Sequence, residues 1–180
     1  MMVSNEEVIS ILDAMLIEDS EMLFEHFGCE IAYLGSTVRE LDRSTVGVID
    51  AGCDELELSL VLNIPFSILA LSYPTKDDIT ELPEAELEDW VLELSNQIMG
   101  KLKNRLVAQG LMVKLGLPEA FFNGYDGAPD SYKESHKCFS FEVDQVPMEF
   151  WMHVDVKEPI EALTKDEEDD DAFSGEIEFF

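Results

Sequence analysis

A chain of 180 residues with 46% hydrophobic content is the size of one domain with a substantial core, read here as a single domain over residues 1–157 and an acidic tail over 158–180. Forty acidic against eleven basic side chains, a formal net charge of −29, exclude nucleic-acid binding, which needs clustered Lys and Arg to neutralise phosphates. Anionic membrane surfaces are disfavoured for the same reason.

Cys29, Cys53 and Cys138 are an odd number without CxxC spacing, so the sequence suggests neither a disulfide framework nor a zinc site. A reducing cytoplasm fits best. The first ten residues carry acids and no basic region, unlike a signal peptide. The most apolar stretch, Leu56 to Tyr73, is interrupted by Glu57, Asn63 and Pro65, which argues against a membrane span.

In chain order, Ser4 with Glu7 forms a capping-box signature ahead of Val8, Ile9, Ile11, Leu12, Met15 and Leu16, predicting an amphipathic helix. A second helical piece is expected from Asp19 to Phe27, stopped by Gly28. Cys29 to Arg39, Thr45 to Ala51 and Leu56 to Asn63 are rich in β-branched and aliphatic residues, predicting three consecutive antiparallel strands. Pro65 to Tyr73 predicts a short helix, and Pro74 and Pro83 bracket a connector.

The most informative stretch is Trp90 to Leu106, within a long helical run. At about 100° per residue, Leu87, Val91, Leu94, Ile98, Leu102 and Leu106 fall on one stripe, which is core. Asp89, Glu93, Asn96 and Gly100 step along the opposite side, with Leu92 and Met99 flanking it as apolar positions outside the core stripe. Gly100 costs about 1 kcal/mol relative to alanine inside a helix, which suggests a close approach to the backbone there. Acids at Glu84, Glu86, Glu88 and Asp89 and bases at Lys101, Lys103 and Arg105 match the two poles of the helix macrodipole. That match accounts for the bases better than an anion-docking role does. By spacing alone, plain solvation of a helix's outer face accounts for Glu93 and Asn96 better than a functional role does.

Beyond Gly110, Leu111 to Phe122 is predicted as a strand, ended by turn signals at Asn123-Gly124 and Asp126-Gly127. Cys138 to Val146 and Met148 to Val156 alternate cleanly and predict a hairpin, with Pro147 at its tip or opening its second strand. His26, His136 and His153 lie in separate elements and are expected to be ordinary surface or strand residues. From Lys157 the chain carries ten acids against two lysines, a self-repelling run. The apolar end, Phe173 and Ile177 to Phe180, packs back on the domain or forms a linear motif, with packing back favoured.

Glu93-Leu94-Ser95-Asn96, followed by Gly100 and Lys103, resembles the glutamate-x-x-asparagine helix of the CheC/CheX/FliY family of bacterial chemotaxis phosphatases, most closely the CheX type. The resemblance extends weakly over about residues 8 to 157 through the order of elements. It implies an α+β fold with an antiparallel sheet of about six strands packed against long helices. It implies a homodimer, with one motif per protomer. It further implies hydrolysis of the phospho-aspartate of a CheY-type response-regulator receiver, with Glu93 and Asn96 as the catalytic pair. Asn96 would orient the attacking water and Glu93 would pair with the receiver's lysine. No cofactor of the protein's own is implied, since the receiver supplies the Mg²⁺. Gln97, Met99 and Lys101 are bulkier than the small residues usual around this motif. The alternative is a non-catalytic module of the same fold that binds a receiver as a scaffold; a third reading is an acidic mimic of nucleic acid. Ser95 is no nucleophile, for no histidine is patterned to activate it.

Overall fold

The computed structural model describes residues 2–39, 41, 43–74, 82–121 and 130–164. The turn signals at Asn123 to Gly127, the run Asp166 to Asp171, Phe173 and Ile177 to Phe180 lie outside the described residues.

The N-terminal helix α1 (Asn5–His26) is one continuous helix, not the two pieces expected. Ser4 caps it by accepting the Glu7 N–H at 3.2 Å, and Gly28 ends it with φ +80°. The break expected at Asp19 is absent because Asp19 and Ser20 are buried with partners: Ser20 Oγ donates back to the Leu16 carbonyl, and Asp19 takes Arg105.

Seven strands form one antiparallel sheet: β1 (Ile31–Gly35), β2 (Ser44–Gly52), β3 (Leu56–Pro65), β4 (Lys114–Leu115), β5 (Glu119–Phe121), β6 (Lys137–Val143) and β7 (Val146–Val156). Their order is β1-β6-β7-β3-β2-β4, with β5 also on β2. β2 and β3 form the expected hairpin, but β1 does not join them. It pairs with β6 at the far edge, four strands away from β2 in the order of the sheet. The first strand is also shorter than expected, since Gly35 turns the backbone to φ +94° where the register slips. The single strand expected from Leu111 to Phe122 is two short ones, broken around Pro118. The β6–β7 hairpin turns on Asp144 and Gln145, both at positive φ, so Pro147 is the second residue of β7 and not the tip.

Helices α1 and α3 (Glu84–Ala108) and the short α2 (Phe66–Ser72) cover one face of this sheet. Its inward side chains, among them Ile49, Leu60, Leu62, Phe139, Phe141 and Phe150, form the main core with the helices. Ile160 and Leu163, beyond β7, are buried in the same core. The opposite face carries a smaller apolar cluster of Val46, Val48, Val61, Cys138 and Trp151, with Tyr132 of α4 (Asp130–Ser135) packed on it. That helix had no sequence signal strong enough to predict it. All three cysteines are free. Among the described residues, no helix is long and apolar enough to cross a membrane.

Candidate functional site

The polar pair sits on α3, whose seat on the sheet is fixed by one glycine. A Cβ on Gly47 of β2 would lie 2.6 Å from Ser95 Oγ and 3.2 Å from Val91 Cγ2. Only a bare backbone lets the helix come this close. Ser95 is fully buried there and its hydroxyl donates to the Val91 carbonyl at 2.8 Å. The expected core stripe, Leu87, Val91, Leu94, Ile98, Leu102 and Leu106, is buried throughout.

Met99 departs from expectation: it is completely buried in the core and cannot flank a docking face. The reason is geometric. Helix α3 lies between α1 and the β4–β5 edge of the sheet, so about half its circumference is covered, more than one narrow stripe. Trp90 fills the side towards α1, packing edge-on against Phe27 at 5.3 Å, and Met99 fills the other. Leu92 is half-buried.

What remains outward is the line Asp89, Glu93, Asn96, Gly100 and Val107, with Lys103 beside it. Glu93 is exposed, and Asn96 and Gly100 are half-buried. Around Gly100 a Cβ would meet nothing within 4 Å, so no packing within the chain requires a glycine there. No described residue hydrogen-bonds the Asn96 amide. Glu93, in contrast, is engaged: Gln97 Nε2 donates to its Oε1 at 2.8 Å. That contact was not anticipated from the sequence, although the i, i+4 spacing was its signal. Of the three bulky residues near the motif, none stands on the outward line: Met99 is core, and Gln97 and Lys101 lie half-buried on the α1 side.

Among the bases of α3, Arg105 serves the fold. It holds Glu18 and Asp19 of α1, each at 3.2 Å. Burial nevertheless raises the Asp19 carboxyl above the usual range, outweighing the nearby guanidinium. Burial likewise lowers the Lys101 ammonium. Asn96 is at the middle of the 25-residue helix, about 18 Å from either end, beyond the reach of the terminal dipole. Any chemistry at this face falls to the side chains alone.

The other polar residues are elsewhere. His136 and His153 lie in separate parts of the chain, as expected, but are neighbours in space, with ring centroids 5.5 Å apart on the far side of the sheet. A cleft of about 490 Å³ lined by Asp50, Ser59, Lys114 and His153 opens on that side, and one of about 220 Å³ lies by Phe27 and Tyr73. Neither includes Glu93 or Asn96. Among the described residues no group of three or more His, Cys, Asp and Glu side chains is placed to hold a metal ion.

No family model and no curated protein sequence matches the chain. Solved structures do. The chemotaxis protein CheX of Vibrio vulnificus is 17% identical, with a TM-score of 0.60 over 83% of this chain and 97% of that one. The chain has the CheC/CheX/FliY fold. FliY of Thermotoga maritima is 18% identical, covering 87% of this chain and 92% of that one at a TM-score of 0.51. A chain of the CheX–CheY–BeF3–Mg²⁺ complex of Borrelia burgdorferi is 15% identical, covering 81% and 96% at a TM-score of 0.56. The CheX-like fold therefore covers more than four-fifths of the chain, and α3, packed on the sheet, carries Glu93 and Asn96 on its outward side.

Proposed function

We propose that the protein is a phosphatase of a CheY-type response-regulator receiver, hydrolysing its phospho-aspartate with Asn96 and docking through Glu93. The observation that carries this reading is the outward line of α3: an amide with no partner among the described residues, a carboxylate one turn before it, and a glycine one turn after it that no packing among those residues requires. The CheX–CheY complex among the structural neighbours supports a receiver as the partner.

The line is a helix face and not one of the clefts, so the reacting group must be brought to it by another protein. An acyl phosphate is labile, and a receiver supplies its own Mg²⁺ and lysine to the phosphoryl oxygens. What this chain adds is a placed water. The Asn96 carbonyl accepts a hydrogen bond from that water and holds it in line with the phosphorus, without presenting negative charge to the phosphate. The water oxygen bonds to phosphorus as the bond to the aspartyl oxygen breaks. The electron pair leaves with the aspartate carboxylate and a water proton passes to the released phosphate. Glu93 pairs with the receiver's lysine and sets the depth of docking. Gly100 lets the partner's surface approach the helix backbone.

Following phosphate release from a phosphorylated CheY-type receiver tests the reading. Asn96→Ala and Asn96→Asp should each lower the acceleration by at least about 100-fold, in the range seen when a single positioning group is lost, with an unchanged melting temperature. Binding of the receiver by the wild-type protein without faster release would instead identify a scaffold of the same fold.

A further inference from the structure

We infer that Gln97 is a positioning residue for Glu93, holding its carboxylate ready for a cationic group on the docking protein; this rests on the receiver reading above. Gln97 Nε2 donates to Glu93 Oε1 at 2.8 Å, four residues along the helix. A carboxylate offers about four acceptor sites on two oxygens, so the bond leaves Oε2 open for a second donor. The anchor is the less exposed partner: Gln97 is half-buried on the α1 side, whereas Glu93 is exposed.

The choice of a neutral donor matters. A lysine or arginine at position 97 would form an i, i+4 ion pair and neutralise the carboxylate. Glutamine fixes it and leaves its full charge for an incoming ammonium. The direction of the bond matters too. Around the helix axis, Gln97 lies about 40° from Glu93 on one side and Asn96 about 60° on the other. The bond therefore draws the carboxylate away from the asparagine, whose amide stays available for water.

Two quantities test this: the dissociation constant for a CheY-type receiver loaded with beryllofluoride and Mg²⁺, and steady-state release from the phosphorylated receiver. Gln97→Ala should weaken binding and raise KM by about 3- to 10-fold, the effect of freeing one long side chain, with kcat unchanged. Gln97→Lys should weaken both further. In the Glu93→Ala background, adding Gln97→Ala should change nothing, because Gln97 acts only through Glu93. Unaltered affinity in Gln97→Ala, or a loss that persists in the Glu93→Ala background, overturns the inference. If wild-type protein binds the receiver without hydrolysing it and Gln97→Ala weakens that binding, the phosphatase reading fails and the positioning role stands. If Asn96→Ala abolishes turnover while Gln97→Ala matches wild type, the positioning role alone fails. A wild-type protein that does not bind the receiver overturns both.

Discussion

At Gly100 the requirements of folding and of docking pull in opposite directions, and one substitution separates them. Its Cβ position is open and its backbone helical, so Gly100→Ala should stabilise the protein by about 0.5–1 kcal/mol in urea unfolding. The same methyl group stands where a partner would approach, and receiver affinity should fall. A second residue, Glu149, shows the reverse economy. It is 1% exposed in the middle strand of the sheet, flanked in register by Asn63 and Ser140, and its Oε1 accepts the Arg39 N–H at 2.6 Å. The Asn63 Oδ1 and Ser140 Oγ atoms are buried without a hydrogen-bond partner. Glu149→Ala would remove the acceptor of the Arg39 amide and leave a cavity in the sheet, and unfolding free energy should drop by about 1–3 kcal/mol. Burial first, and the charge of Glu149 second, push the nearby Cys138 thiol up to about 12, so it should resist alkylation at pH 8 until the protein unfolds.

The contact between β2 and α3 decides where the outward line of the helix points. Gly47→Ala would place a methyl group 2.6 Å from Ser95 Oγ, costing about 1–3 kcal/mol and shifting the helix. Adding Ser95→Ala removes the nearest clash, and the double variant should recover stability and receiver affinity together. The element at the other face titrates. The His136 ring packs edge-on against Tyr132 at 5.2 Å and beside His153, and its Nδ1 lies 2.7 Å from Ser135 Oγ. Burial, then the neighbouring His153, lowers its pKa below 6.5, against a smaller opposing pull from Asp50. The unfolded chain therefore takes up this proton first. Stability from His136 should be complete above pH 6.5 and decline as pH falls through the folded value, with the slope reduced in His136→Gln. The helices were largely legible because a 3.6-residue period is a local property: every member of the predicted α3 stripe is buried. The sequence misplaced Met99 because the width of the covered face depends on α1 and β5, which are distant in the chain. The pairing of β1 with β6, and of His136 with His153, is long-range for the same reason. The outward placement of Glu93 and Asn96 was legible; the hydrogen bond from Gln97 needed side-chain positions.

Across the whole molecule the net charge of −29 sets the kinetics of meeting a partner. A receiver's phosphorylation pocket is acidic, so the two surfaces repel at long range. Raising salt from about 20 to 150 mM shortens the Debye length from roughly 20 to 8 Å and should increase kcat/KM for the receiver. A rate that fell instead would show that the docking face is locally complementary. Near its two ends the folded body closes on itself: the Val3 N–H donates to the Ile160 carbonyl at 3.1 Å, and Gln109 exchanges hydrogen bonds with Thr164. The β6–β7 turn, with Asp144 and Gln145 both exposed, lies at a different place on the surface. A circular permutant follows from that closure: with residue 164 joined to residue 2 by a short flexible linker and new termini opened between Asp144 and Gln145, the same architecture should assemble from a rearranged gene.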